Sequence, residues 1–153
     1  MSNRVSPDRA LPSYDTTIHV RDHCLCLHLQ RAARAVARHF DELMRPAGLT
    51  SGQFSLLMSL NRPEPPVMRA VAELLAMDRT TLTANLKPLE RRGLVRVRLD
   101  KDDRRSRRLV LTAKGRAALR AALPAWEEGH ALIEPALAGR SANRLRADLR
   151  ALA

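Results

Sequence analysis

Nine consecutive residues, Asp100-Lys101-Asp102-Asp103-Arg104-Arg105-Ser106-Arg107-Arg108, concentrate more potential chemistry than any other stretch of this sequence. Guanidinium groups grip phosphate with paired hydrogen bonds, and arginines on a flexible tip enter a narrow minor groove, where negative potential is concentrated. Arg104 and Arg105 are the expected DNA-reaching pair, with Arg107 beside them, and Asp103 is expected to aim a guanidinium through bidentate bonds. Taken alone, the loop also fits a merely solvated charged turn. A second set precedes it. Leu82, Leu86 and Leu89 fall at i, i+4 and i+7, which turns them to one side of a helix and leaves Arg79, Thr80, Thr81, Thr83, Ala84, Asn85 and Lys87 outside. Asparagine can hold adenine through two hydrogen bonds and arginine can hold guanine. Threonine can bond a phosphate or touch a thymine methyl.

His19, His23, Cys24, Cys26 and His28 form a third set within ten residues. On a helix, His19 with His23, or Cys24 with His28, would share a face and supply two ligands. A closed zinc site needs four, and a spacing of two turns Cys26 about 200° from Cys24. One helix cannot complete such a site, although two helices across a dimer could. Three readings stay open for Cys24 and Cys26: small buried hydrophobes, a thiol sensor of oxidants, or a soft metal or metalloid site. No resident metal or cofactor is expected.

Elements must place these sets. Residues 1–15 lack apolar periodicity and read as a flexible arm. From about residue 18 to Met44, Leu25, Leu29, Ala32, Val36, Phe40 and Leu43 recur at steps of three and four, predicting one long helix ended by Pro46 and Gly48. Thr50 or Ser51 should cap a second helix burying Phe54, Leu57, Met58 and Leu60, stopped by Arg62-Pro63-Glu64-Pro65-Pro66. A short helix over Val67–Leu75 turns Val71, Leu74 and Leu75 inward. After a tight turn at Ala76 and Met77, Asp78 caps the helix Arg79–Arg92, which Gly93 ends. Alternation at Val95, Val97 and Leu99, then Leu109–Leu111, predicts a hairpin. Thr112 precedes a helix to about Leu137, which Pro124 should bend or divide, and Ser141 caps the last helix.

The expected fold is mainly α with a small β-hairpin wing, a winged helix-turn-helix over 50–112 flanked by helices at 16–46 and 113–153. A major groove about 12 Å wide admits a helix, here Arg79–Arg92. The flanking helices would expose too much apolar surface in a monomer, so they are expected to dimerise. Composition agrees. The 153 residues suit one domain, and 45% hydrophobic with only 3% aromatic residues implies a helical core of Leu, Ala and Val. A net charge of +11 favours a polyanion, nucleic acid or an anionic membrane. A membrane-surface protein would gather that charge on one amphipathic helix, whereas the densest basic run here is a hairpin. No membrane span or secretory leader is evident, so a cytoplasmic location is expected. An enzyme is disfavoured, because there is no Gly-rich phosphate loop, nucleophile elbow or His-Glu-x-x-His pair, and a hydrolase on Cys24 would need His39 or His130 from far away.

The runs Met77–Thr83, Leu89-Glu90-Arg91-Arg92-Gly93-Leu94-Val95, Asp103-Arg104-Arg105-Ser106 and Leu111-Thr112-Ala113-Lys114-Gly115 resemble the MarR family of bacterial regulators, from about residue 24 onward. The resemblance implies a two-fold homodimer with interlocked terminal helices, each winged unit docking on half of a pseudo-palindromic double-stranded DNA site. It also implies a small-molecule effector, often phenolic, bound between the dimerisation helices and the winged unit. The effector is not identified by the sequence. The expected action is repression at an operator, relieved when a small-molecule or thiol-directed signal changes the spacing of the two Arg79–Arg92 helices.

Overall fold

The structure, a computed structural model, describes residues 11–153. It divides into two compact units, one ending at Ala35 and the other spanning Val36–Ala153. The first contains α1 (Tyr14–His23) and the start of α2 (Leu25–Met44). Ser13 caps α1 by accepting the Thr16 amide, so Tyr14 and Asp15, expected in the arm, are already helical. The arm's first ten residues lie outside the described part. The single helix expected up to Met44 is two helices, because Cys24 takes an extended conformation at φ −73°, ψ 102°. The break leaves few amides unsatisfied. Cys24 N–H donates to Val20 O at 2.9 Å, and the Cys24 sulfur accepts the Leu27 amide at 3.4 Å, in the manner of a helix cap.

In the second unit the rest of α2 is followed by a 3-10 turn, Arg45–Ala47, and by Gly48 at φ 70°, a left-handed geometry that glycine adopts without a Cβ clash. Then come α3 (Ser51–Ser59), α4 (Met68–Leu74), α5 (Arg79–Arg91), β1 (Val95–Leu99), β2 (Arg107–Leu111), α6 (Ala113–Ile133), a 3-10 turn Glu134–Leu137 and α7 (Ala142–Arg150). Thr50 caps α3 with a full capping box, since Gln53 returns its side chain to the Thr50 amide. The two strands pair antiparallel from Val95 opposite Leu111 to Leu99 opposite Arg107. Ser141 caps α7 as expected. Pro124 does not divide α6, which continues through it to Ile133.

The core joins Met44, Leu57, Val71, Leu82, Leu89 and Leu109, all at most 1% exposed. Two residues expected inside are not: Met58 is 37% exposed and Leu74 58%. Leu56 replaces Met58 in the core at 1%, because α3 is covered on a second side, where Leu56 lies beside Asn85 and Pro88 of α5. A cavity opens where Met58 and Leu74 were expected to pack. Among the described residues no helix is long and apolar enough to cross a membrane.

Candidate nucleic-acid interface

α4 and α5 are joined by a turn that Ala76 makes at φ 49°, with the Met77 amide bonded back to Ala72 O at 2.9 Å. Asp78 then starts α5. Its carboxylate accepts the Thr81 amide at 2.8 Å and the Thr81 hydroxyl at 2.7 Å, and these two bonds, the amide first, hold its pKa below the ordinary carboxylate range. Leu82, Leu86 and Leu89 are buried as their spacing predicts, and Arg79, Thr80, Thr81, Thr83, Ala84, Asn85 and Lys87 are all exposed. Their donor inventory is smaller than their identities suggest. The Thr81 hydroxyl donates to Asp78 and the Thr83 hydroxyl to Arg79 O at 2.7 Å, so these threonines offer a partner mainly lone pairs and methyl groups. Asn85 directs its amide nitrogen only toward the Met77 sulfur, a weak acceptor 3.7 Å away.

The wing is built differently from expectation. Asp103 aims no guanidinium: its carboxylate accepts the Arg105 amide at 2.9 Å and the Ser106 hydroxyl at 2.7 Å. Those bonds, Ser106 first, lower its pKa. Although Arg104 and Arg105 directly follow it, Asp103 does what short acidic side chains in turns commonly do, folding the loop on itself. The guanidinium holder is Asp100, which sequence reading passed over. It is 5% exposed, accepts the amides of Asp102 at 2.8 Å and Asp103 at 3.0 Å, and pairs with Arg108. The two amides are the main reason its pKa is lowered, with the Arg108 bond adding to them. An aspartate followed by a polar loop is the ordinary sign of such a turn, but nothing in the sequence pairs it with Arg108.

Arg108 also donates to Pro65 O at 2.9 Å, and the Leu109 amide donates to Pro66 O at 2.9 Å. The wing is thereby fastened to the segment that leads into α4. Arg107 and Arg108, expected in the loop, belong to β2. Arg104 and Arg105 stay exposed at the tip. Arg79, Arg105 and Arg107 come together around a cavity of about 320 Å³ floored by Val67, Met68 and Ala72, and none of the three forms an ion pair among the described residues.

Two other features bear on control. A cavity of about 590 Å³ lies among α3, α4 and α6, with Phe54, Met58, Leu74, Leu123 and Trp126 as apolar walls and Arg62 at its edge. In the first unit, Cys26 is exposed and Cys24 half-buried, so neither is a core residue of the single chain. His19 and His23 stack with ring centroids 4.2 Å apart, and His23 Nδ1 lies 2.8 Å from His19 O. Among the described residues no group of three His, Cys, Asp or Glu side chains is arranged to hold a metal.

Two helices at a tight turn, followed by a basic two-stranded hairpin, define a winged helix-turn-helix protein. The MarR family model matches residues 47–106. The transcriptional regulator MosR of M. tuberculosis, solved in complex with DNA, is 39% identical and superposes with a TM-score of 0.74, covering 85% of this chain and 93% of MosR. The chain is also 36% identical over 95 residues to the HTH-type transcriptional regulator TtmR of Methylorubrum extorquens (strain PA1), which covers 62% of this chain and 49% of TtmR. It is 30% identical over 91 residues to an organic hydroperoxide resistance transcriptional regulator of Bacillus subtilis (strain 168), covering 60% of this chain and 62% of that protein. The chain thus spans about half to three fifths of the length of these two curated relatives. It belongs to the MarR family.

Proposed function

We propose that this protein is a cytoplasmic transcriptional regulator, without enzymatic activity, that binds double-stranded DNA as a homodimer and represses by occupying a pseudo-palindromic operator. The observation that carries this reading is the convergence of Arg79 from the start of α5 with Arg105 and Arg107 from the wing. Arginines gathered on one face suit phosphate oxygens, while Thr80, Ala84, Asn85 and Lys87 face outward as a base-reading surface and Arg104 extends the wing toward a minor groove. The DNA complex of MosR supports it by similarity. In this reading the winged unit spans 50–112 and the helices of 16–46 and 113–153 dimerise. Half-exposed apolar residues along those helices, such as Val36, Leu132, Leu145 and Leu149, supply the surface for a second copy.

Release is by a signal of one of two kinds. A small organic ligand in the 590 Å³ cavity would touch α3, α4 and α6 together and so shift the winged units. Alternatively, oxidation of Cys24 or Cys26 would do so at the α1–α2 junction. The exposure of Cys26 and the relative named for organic hydroperoxide resistance favour this second kind. The test is DNase footprinting on the DNA upstream of the protein's own coding sequence, at moderate salt, with and without thiol oxidant. A two-fold protected site supports the regulator, and its loss on oxidation assigns the cysteines as sensors. Protection indifferent to oxidant directs attention to the cavity, and no discrete protection on this or randomised DNA defeats the reading.

A further inference from the structure

The C-terminal end of α5 is held by a set of hydrogen bonds that take no part in the DNA-facing surface. Arg92, the residue that closes the helix, sends its guanidinium to Gly48 O at 2.8 Å and to Gln53 Oε1 at 3.4 Å, in the turn and first residues of α3. Its own carbonyl accepts Lys114 Nζ of α6 at 2.8 Å. The next carbonyl, Gly93 O, accepts the hydroxyl of Thr112 at 2.7 Å, and Thr112 also caps α6 by taking the Gly115 amide at 3.0 Å. On the far side of the same turn, Asp41 of α2 accepts the Ser51 amide at 2.6 Å. The α3 turn, itself bonded to α2, and the start of α6 are therefore both tied to the base of α5.

We infer that Arg92 and Lys114 are positioning residues that fix the angle of α5 on α3 and α6, and through it the distance between the two recognition helices of a dimer. The inference rests on the proposed function. Both side chains are exposed, so their hydrogen bonds compete with water and add little to stability. Their leverage is geometric. Thirteen residues separate this joint from the reading end, a helix about 20 Å long, so a tilt of about 10° at Arg92 moves Arg79 by about 3 Å. Two half-sites about 34 Å apart do not tolerate such an error at both ends at once. Cations at the end of a helix also suit its negative pole, which makes Arg92 and Lys114 favourable there without any DNA contact.

The test uses the full chain with Arg92→Met and, separately, Lys114→Met, both checked for native circular dichroism. The probes are a duplex enriched from random DNA by the unaltered protein, the same duplex with one base pair added or removed between its half-sites, and a duplex carrying one half-site. Positioning predicts about tenfold weaker binding to the full site, half-site affinity within about twofold, and a flatter dependence on spacing. Equal losses on full and half sites mean that these residues contact DNA or merely support the fold, and overturn the inference. Unchanged binding on all duplexes overturns it too. If the unaltered protein enriches no sequence, the DNA-binding reading falls, and this inference with it.

Discussion

Asn85 and Arg105 stand on the same exposed face and should fail in different ways when removed. Among the described residues, the Asn85 carbonyl has no hydrogen-bond partner and its amide meets only the weak Met77 sulfur. If it reads a base, Asn85→Ala should relax selectivity at one base pair of each half-site, by about 1–3 kcal/mol, in competition binding against single-substitution duplexes. Arg105 sits at the wing tip with no ion pair among the described residues. Arg105→Ala should weaken all sequences alike and lower the slope of log affinity against log salt by about one for each winged unit. Affinity unchanged in both variants removes both assignments. The carboxylates predict a pH effect. Asp78, Asp100 and Asp103 all have pKa values lowered by hydrogen bonds in the fold. Each stabilises the fold fully above its unfolded value of about 3.9, and the contribution disappears as pH falls through the lower folded value. The thermal midpoint should therefore be insensitive to these groups near neutrality and drop below about pH 4. Asp100→Asn should blunt that drop.

Elements are joined here by a few close approaches, and small side chains are the telling test of them. Gly115 lies where a Cβ would overlap Leu94 O, and Gly129 where one would overlap the ring of Phe40. Backbone cannot step aside as easily as a ring, so Gly115→Ala should cost more than Gly129→Ala, each on the order of 1–3 kcal/mol in denaturant unfolding. Thr112→Ala should lose about 1 kcal/mol as a helix cap, and more if its bond to Gly93 O also matters. The elements themselves were readable because each has a local cause: Asp78, Thr50, Thr112 and Ser141 are caps, and Gly93 is a stop at φ 71°. Two other points had weaker local signals: the helix break at Cys24, which no proline or glycine marks and which falls just before the first periodic residue Leu25, and Pro124, which sits inside α6 without ending it.

At the scale of the whole molecule, the charge of +11 and the exposed helical faces make a joint prediction. Sedimentation equilibrium should report a dimer, and Leu145→Arg with Leu149→Arg should shift it toward monomer while helical content persists. DNA affinity should then fall mainly on the full site. A monomer in the unaltered protein would remove the dimer from the proposed function.

The sequence by itself determined what depends on neighbours along the chain: the helix caps, the buried triad Leu82, Leu86 and Leu89, the exposed face beside it, and the basic hairpin after Gly93. Only the tertiary structure decided what depends on residues distant in sequence. It buried Leu56 in place of Met58, because α3 is covered on two sides, and opened a cavity where Met58 and Leu74 would have packed. It gave Arg108 to Asp100, the buried residue that follows β1 directly, and left Asp103 to the turn. It brought Arg92 to Gly48 across 44 residues, a contact that no periodicity encodes. Local spacing fixes which face of an element a side chain occupies, and the partner it meets there is set by how the elements pack.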